Sequence, residues 1–370
     1  LENGLYVSFD DGENWQPLQN NLPHAPVHGI ALQEHFSDLV LATYGRGFWI
    51  LDDITPLRQV NPTITAQEAA LFAPRAAYRF RSAEPLWAPL YDPVAGSNPP
   101  YGASLHYWLK AEPKDTVRLE ILDSSGGLVR KLTGPGKAGL NRIWWDLRHD
   151  PLKPVKLRTP PLHAPEVAVG PDGRGSSDLF PLGILAPPGS YTVRLKVGGK
   201  EYTQTLEVRK DPNSGGSEAE IAQQMELLRQ IRDDLVSATD MINALENIRH
   251  QIAALRITLS DDTVRAAVRT QADSLDQKAI AVEQELVELR LTGRGQDLIR
   301  FPVRIAGRLA YLGGDVGSSD YAPTAQQRAV HAELRSQLQA VRQRYEAFLS
   351  TDLAAFNAIL TQRGMSGIFR

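Results

Sequence analysis

Few side chains in this chain of 370 residues have the types and spacing that catalysis needs. There is no cysteine, which excludes disulfides, thiolate nucleophiles and thiolate metal sites and leaves only oxygen and imidazole groups. The histidines are His24, His28, His35, His106, His149, His163, His250 and His331, and none belongs to H-E-x-x-H or another ligand-spaced cluster. His24, His28 and His35 lie close in sequence, but Glu34 is the only carboxylate beside them, so they read as solvated loop side chains. Nucleophile elbows, Walker loops and dinucleotide fingerprints are absent. G-R-G begins at Gly45, Gly173 and Gly293, and these read as a hairpin turn, part of a Pro-rich loop and a helix end.

One stretch has the residue types of sugar chemistry: ATYGRGFWILDD, residues 42–53. Glycoside hydrolysis uses two carboxylates, and aromatic and Arg side chains hold sugar rings and hydroxyls. Tyr44, Arg46 and Trp49 are therefore the candidate ligand contacts. Asp52 and Asp53, however, are neighbours along an expected strand, and successive strand side chains point to opposite faces. They cannot flank one glycosidic bond from there. Catalytic residues, metal ligands and cofactors are accordingly assigned to none of these positions.

The elements that would position these residues fall into three segments of different period. LYVSF, HGIAL, DLVLAT and GFWILDD alternate with a period of two and read as four short strands, about one blade of a β-propeller, over residues 1–55. Between the first of them and the next lies VSFDDGENW, in which Ser8, Asp10, Gly12 and Trp15 have the spacing S-x-D-x-G-x-x-W. Here Asp10 can accept backbone N–H groups of a turn, Gly12 can take a positive φ, and Trp15 can cover the hairpin.

This pattern, with LVLATYGRGFWILDD after it, resembles the last blade of bacterial Asp-box (BNR-repeat) propellers of the sortilin-like superfamily, many of which are labelled glycosyl hydrolases. The resemblance implies a structural hairpin fastened by Ser8, Asp10, Gly12 and Trp15. It also implies that missing upstream blades of the same parent protein pack against this one, since a single Asp box cannot close a propeller. An apolar sheet face and an open edge are then expected where those blades dock. Sortilin-type receptors continue into a cysteine-rich region, which this chain lacks, so their ligand and sorting roles are not carried over.

Residues 56–100 read as a linker and entry segment, with EPLWAPLYDPVAGSNPP as loop. Over residues 101–211, SLHYWLKA, TVRLEILD, LVRKLTG, GLNRIWWDLR, GSYTVRLKVG and KEYTQTLEVRK alternate between turn signals, as strands of an antiparallel Ig-like sandwich do. GLNRIWWDLR with APPGSYTVRLKVGGKEYTQTL resembles the Ig-like domain of flagellar-hook-capping proteins, which implies an accessory domain. Of the adjacent Trp144 and Trp145, at least one is expected in the core. The Pro- and Gly-rich residues 148–181 form a long surface loop expected to pack on a neighbouring domain.

From 212 to 370 the period is helical. Ser217 and Glu220 form a capping box ahead of Ile221, Met225, Leu228, Ile231 and Leu235 in a long amphipathic helix. A second helix is expected from about Asp262 to TGRG at 292–295, a third over 303–312, and a fourth from about Pro323 with Val330, Leu334, Leu338, Val341, Tyr345 and Phe348 inward. Arg300, Arg304 and Arg308 would make one basic stripe. Long helices with short loops imply an antiparallel bundle, with a coiled-coil dimer as the competing arrangement.

The fold class read from sequence is thus multidomain: a partial β-propeller blade, an antiparallel Ig-like β-sandwich, then an antiparallel α-helical bundle. The net charge of −3 gives no reason to expect nucleic acid, and no apolar run is long enough for a membrane span. The expected role is a structural and binding region of an exported, extracytoplasmic bacterial propeller protein, with a carbohydrate or protein as ligand and no catalysis of its own. The alternative is part of a glycoside hydrolase whose catalytic residues lie mainly upstream.

Overall fold

Residues 4–55 form two short sheets, where one had been expected. In the computed structural model, which describes residues 2, 4–81, 96–179, 181–259 and 266–370, β1 (Tyr6–Val7) pairs with β2 (Gln16–Pro17) across the VSFDDGENW turn. A separate antiparallel sheet has the order β3 (Val27–Gln33), β4 (Asp38–Thr43), β5 (Phe48–Leu51). The connection from β2 to β3 contains Pro23 and Pro26, which have no N–H to donate and cannot extend a ladder.

The register of the second sheet sorts its side chains. Ile30, Leu41 and Trp49 stand in one row and Leu32, Leu39 and Leu51 in the next, on one face. Leu39, Leu41 and Trp49 pack there with Leu5, Leu18 and Leu22 in a small core. Ala31, Val40 and Ile50, with Gly29, Ala42 and Phe48, occupy the opposite face.

The segment 56–81 is not merely a linker. It forms α1 (Pro62–Ala66), capped by Asn61, and two three-residue strands, β6 (Ala69–Leu71) and β7 (Ala77–Arg79). Both strands enter the next sheets. Of the loop expected at residues 84–100, residues 84–95 lie outside the described residues and 96–100 have no regular secondary structure.

Two sheets then enclose one core. The larger has the order β10 (Leu128–Thr133), β9 (Arg118–Leu122), β12 (Gly189–Val197), β13 (Lys200–Lys210), β7, antiparallel except for the parallel pair β13 and β7. The smaller is β11 (Gly139–Trp145), β8 (Ala103–Leu109), β6. Alternate residues Val193 and Leu195 of β12 and Leu119 and Ile121 of β9 share the interior with Leu105, Tyr107 and Leu109 of β8. Trp145 is wholly buried, meets Tyr191 edge to face at 5.3 Å and donates its indole N–H to the Arg148 carbonyl at 2.9 Å. Trp144 is half-buried under the Arg142 guanidinium.

These strands belong to one unit, Leu1–Asp150 with Leu185–Ser214, and the helices to a second, Pro151–Ile184 with Gly215–Arg370. In the second, α2 (Glu218–Thr258) runs 41 residues, about 60 Å at 1.5 Å per residue, and Ser217 and Glu220 make the reciprocal capping box at its start. It packs against α3 (Ala266–Leu286), α5 (Ile305–Val316) and α6 (Ala325–Ala347), with the single turn α4 (Asp297–Arg300) before α5. A π-helical turn, Phe348–Leu353, carries α6 on into α7 (Ala354–Gln362).

Three helical expectations are corrected. The second helix ends at Leu286, before TGRG, because Leu289 and Leu291 turn inward after a break. Arg300, Arg304 and Arg308 are not one stripe: Phe301–Pro302 separates α4 from α5, and Arg304 pairs with the buried Glu288 at 3.0 Å while Arg308 donates to Gln337. Val330 faces outward, whereas Leu334, Leu338, Val341 and Phe348 are buried.

Segment 151–184 packs within the helical unit. Leu157 enters the helical core, and Lys156 N donates to Asn243 Oδ1 at 2.8 Å. Arg158 N and Thr159 N both donate to Glu246, the latter at 2.7 Å, and Arg174 Nη1 donates to the Leu291 carbonyl at 2.8 Å.

Candidate functional site

The VSFDDGENW hairpin is held by its own polar side chains. Ser8 Oγ donates to Asp10 Oδ1 at 2.8 Å and accepts from Gly12 N at 2.8 Å. Asp10 also accepts from Asn14 N at 2.9 Å and Asn14 Nδ2 at 2.7 Å. Those Asn14 bonds, with Ser8 assisting, hold the Asp10 carboxyl below its ordinary range. Asp11 and Gly12 both have positive φ, 55° and 94°. Trp15 closes the turn by donating its indole N–H to the Gly12 carbonyl at 3.0 Å. Both carboxylate oxygens of Asp10 accept hydrogen bonds within the turn, so the carboxylate has a structural use already.

Trp15 nevertheless remains 64% exposed, and it borders a groove of about 490 Å³ lined also by Leu5, Tyr6, Val27 and Ile30. The groove lies between the β1–β2 sheet and β3, an edge strand among the described residues. Its floor is apolar.

The candidate contacts Tyr44, Arg46 and Trp49 are brought into one hairpin but not onto one face. Gly45 and Gly47 take positive φ in the turn, and Thr43 N donates to the Gly47 carbonyl at 3.1 Å. Tyr44 is exposed, with its ring 5.5 Å from His28, and the Arg46 side chain is exposed too. Trp49 faces the small core and donates its indole N–H to the Arg46 carbonyl at 3.0 Å. Two tryptophans thus latch two turns by the same three-residue step back to a carbonyl.

Asp52 and Asp53 follow the end of β5. Asp53 has φ of 55°, is buried, and takes Asp38 Oδ1 on its N–H at 2.9 Å. Asp52 is half-buried, and burial together with the Asp38 charge pushes its carboxyl up, Arg142 and Arg75 opposing.

A polar cluster at Asp53 was not foreseen from sequence. Asp53 Oδ2 lies 3.5 Å from Arg75 Nε and 3.9 Å from His106 Nδ1. Ser104 Oγ lies 3.5 and 3.4 Å from the two His106 ring nitrogens. Serine, histidine and aspartate are the residue types of a hydrolase triad, but here the hydroxyl is in line with neither nitrogen and all three side chains are buried. Burial pushes the His106 imidazole down to about 4, the Asp53 charge opposing and Arg142 and Arg75 adding to the fall. His106, kept neutral by burial, thus sits beside Asp53 between β8 and the end of β5, and both side chains are buried. Nothing local in sequence could reveal this, because the partners are separated by more than fifty positions.

Within the helical unit, Arg249 is the hub of a buried ionic network. It reaches Glu246 at 2.6 Å, Glu283 at 3.0 Å and Asp276 at 3.1 Å. Burial, with Glu246 adding, holds the Glu283 carboxyl well above its ordinary value. The i, i+3 spacing of Glu246 and Arg249 was visible in sequence; their burial was not. Among the described residues no group of three or more His, Asp or Glu side chains is placed to hold a metal, and no helix is long and apolar enough to cross a membrane.

No family model matches the chain, and no curated protein matches it. Among solved structures it is similar to Ruminococcus gnavus beta-glucuronidase in complex with uronic isofagomine, at 11% identity, over 56% of this chain and 30% of that one, with a TM-score of 0.16. The chain thus spans less than a third of that enzyme's length. At such a score neither fold nor activity transfers.

Proposed function

We propose that this chain is a structural and binding region of an Asp-box propeller protein, and that residues 4–55 contribute strands to two neighbouring propeller blades. On this reading the two sheets separated by the Trp15 groove belong to successive blades, and residues 101–214 are an Ig-like accessory domain. The observation that carries it is the outer face of the β3–β4–β5 sheet. There Phe48 is 79% and Ile50 60% exposed, beside Ala31 and Val40. At the sheet's edges β3 and β5 have no further strand beside them among the described residues.

Exposed apolar rows on a sheet with free edges are normally covered, because an open hydrophobic edge templates further pairing. The occupant that fits is further Asp-box strands. The dispersion of Asp10, Asp52 and Asp53 into turn and buried contacts supports a non-catalytic role.

The test is twofold. The chain should bind 8-anilinonaphthalene-1-sulfonate, and Phe48→Lys with Ile50→Lys should lower that fluorescence severalfold while leaving the circular dichroism unchanged. It should also turn over no member of a panel of aryl glycosides. Turnover by the purified chain, or dye binding untouched by the paired substitution, would overturn the reading.

A further inference from the structure

The helical unit has a pocket of its own, formed by α4, α5 and the start of α6. It measures about 470 Å³, and its walls include Leu298, Val303, Tyr311 and Val330. That volume is within the range of small-molecule sites. These four side chains are large and apolar yet exposed around one depression.

The lining includes one charged group where water cannot serve it. Asp178 is only 2% exposed. Ser176 Oγ donates to its Oδ1, while its Oδ2 has no hydrogen-bond partner among the described residues. Gly307 packs closely beside it: a Cβ there would stand 2.5 Å from Val303 Cγ1, 3.0 Å from the Asp178 carbonyl oxygen and 3.2 Å from Oδ2. Burial pushes the Asp178 carboxyl up, the Ser176 bond opposing. A buried carboxylate oxygen without a donor is costly, and a donor that reached it would recover that cost.

The remaining charges favour a cation. Asp315 is the second carboxylate of the lining, held on one oxygen by Gln327 Nε2 at 2.8 Å. Arg308 is the single positive group there, and it donates to Gln337 at 3.3 Å, a residue outside the lining.

We propose that this pocket binds a small lipophilic amine, whose ammonium is taken by Asp178 and whose apolar body covers Leu298, Tyr311 and Val330. Asp178 is part of the pocket lining and its Oδ2 lacks a donor, so an ammonium brought to it would supply the missing one. The unsatisfied oxygen selects a donor. The two carboxylates against one arginine select its sign, and the walls select a body of alkyl or aryl carbon.

Calorimetric titration of the full chain at pH 8 with decylamine, decanol and decanoate tests this. Decylamine should bind saturably at one site, at least tenfold more tightly than decanol, with decanoate weakest. Asp178→Asn should remove the preference for the amine and leave decanol binding as it was. Tyr311→Ala with Val330→Ser, both at exposed positions, should weaken decylamine and decanol alike. Should Asp178→Asn fail to fold, the ranking of the three ligands on the native chain, with the Tyr311 and Val330 pair locating the site, still decides. Equal affinity for the three ligands, no saturable amine binding, or amine binding indifferent to the wall substitutions would each defeat the proposal.

Discussion

His106 and Glu283 are buried ionisable groups whose folded states prefer the neutral form, and they load the protein in opposite directions with pH. His106 falls from 6.5 to about 4 on folding, so the unfolded chain takes up its proton first as pH drops. Its contribution is intact above about pH 6.5 and is lost down to about pH 4, a change of about 3 kcal/mol. Glu283 is raised above 4.5, so its contribution is present at low pH and is lost as pH rises through the folded value. Urea unfolding followed by tryptophan fluorescence between pH 7 and pH 4 should therefore show the strand unit losing stability toward acid. His106→Asn should flatten that slope, and parallel curves for the two proteins would exclude His106 as its source.

Among the elements, α2 is the one on which most depends. Glu246, on its buried face, accepts from Arg158 N, Thr159 N, Thr159 Oγ1 and Arg249. Glu246→Ala leaves the Arg158 and Thr159 donors without their acceptor and removes one of the three carboxylates around the buried Arg249, and should cost about 3 to 5 kcal/mol by denaturant unfolding. Glu226, on the exposed face of the same helix, pairs among the described residues only with Gln230, and its substitution should fall within about 0.5 kcal/mol. How far such elements could be read beforehand follows from the range of the interactions that make them. The capping box of Ser217 and Glu220 and the alternation of Tyr191, Val193, Leu195 and Val197 are set within a few residues, and sequence displays them. β6 and β7 are three residues each and exist only through pairing with β8 and β13, which no local period announces. The arginine series at 300, 304 and 308 misled because its spacing is helical while Pro302 interrupts the helix. At the candidate site, the hairpin formed by Ser8, Asp10, Gly12 and Trp15 was legible for the same local reason. The Asp53–His106 contact and the Asp178 pocket were not, since distant segments assemble them.

The two units of the molecule are interleaved along the chain. Residues 151–184 leave the strand unit after β11 and pack with the helices, and the chain returns for β12 before departing again at 215. A polypeptide beginning at residue 215 therefore lacks the backbone donors that Glu246 accepts and the Leu157 side chain that fills the helical core. Its circular dichroism should show a broadened, less cooperative thermal transition than the full chain, and a co-expressed peptide of residues 151–184 should sharpen it. A cooperative, equally stable 215–370 piece would show that the segment is dispensable.

The place of β12 and β13 in the larger sheet has a consequence for biosynthesis. They stand between β9 and β7, so the two halves of that sheet have no common neighbour until residues 189–210 have left the ribosome. Residues 151–184, already outside by then, still await α2 and α3. The strand unit is complete once Ser214 has emerged, whereas residues 151–184 stay undocked until the helices from Glu218 onward follow, although domains generally fold as they emerge. While residues 185–210 are being made, the nascent chain thus carries unpaired strands and an undocked apolar segment together. That interval is when binding by a chaperone would matter most.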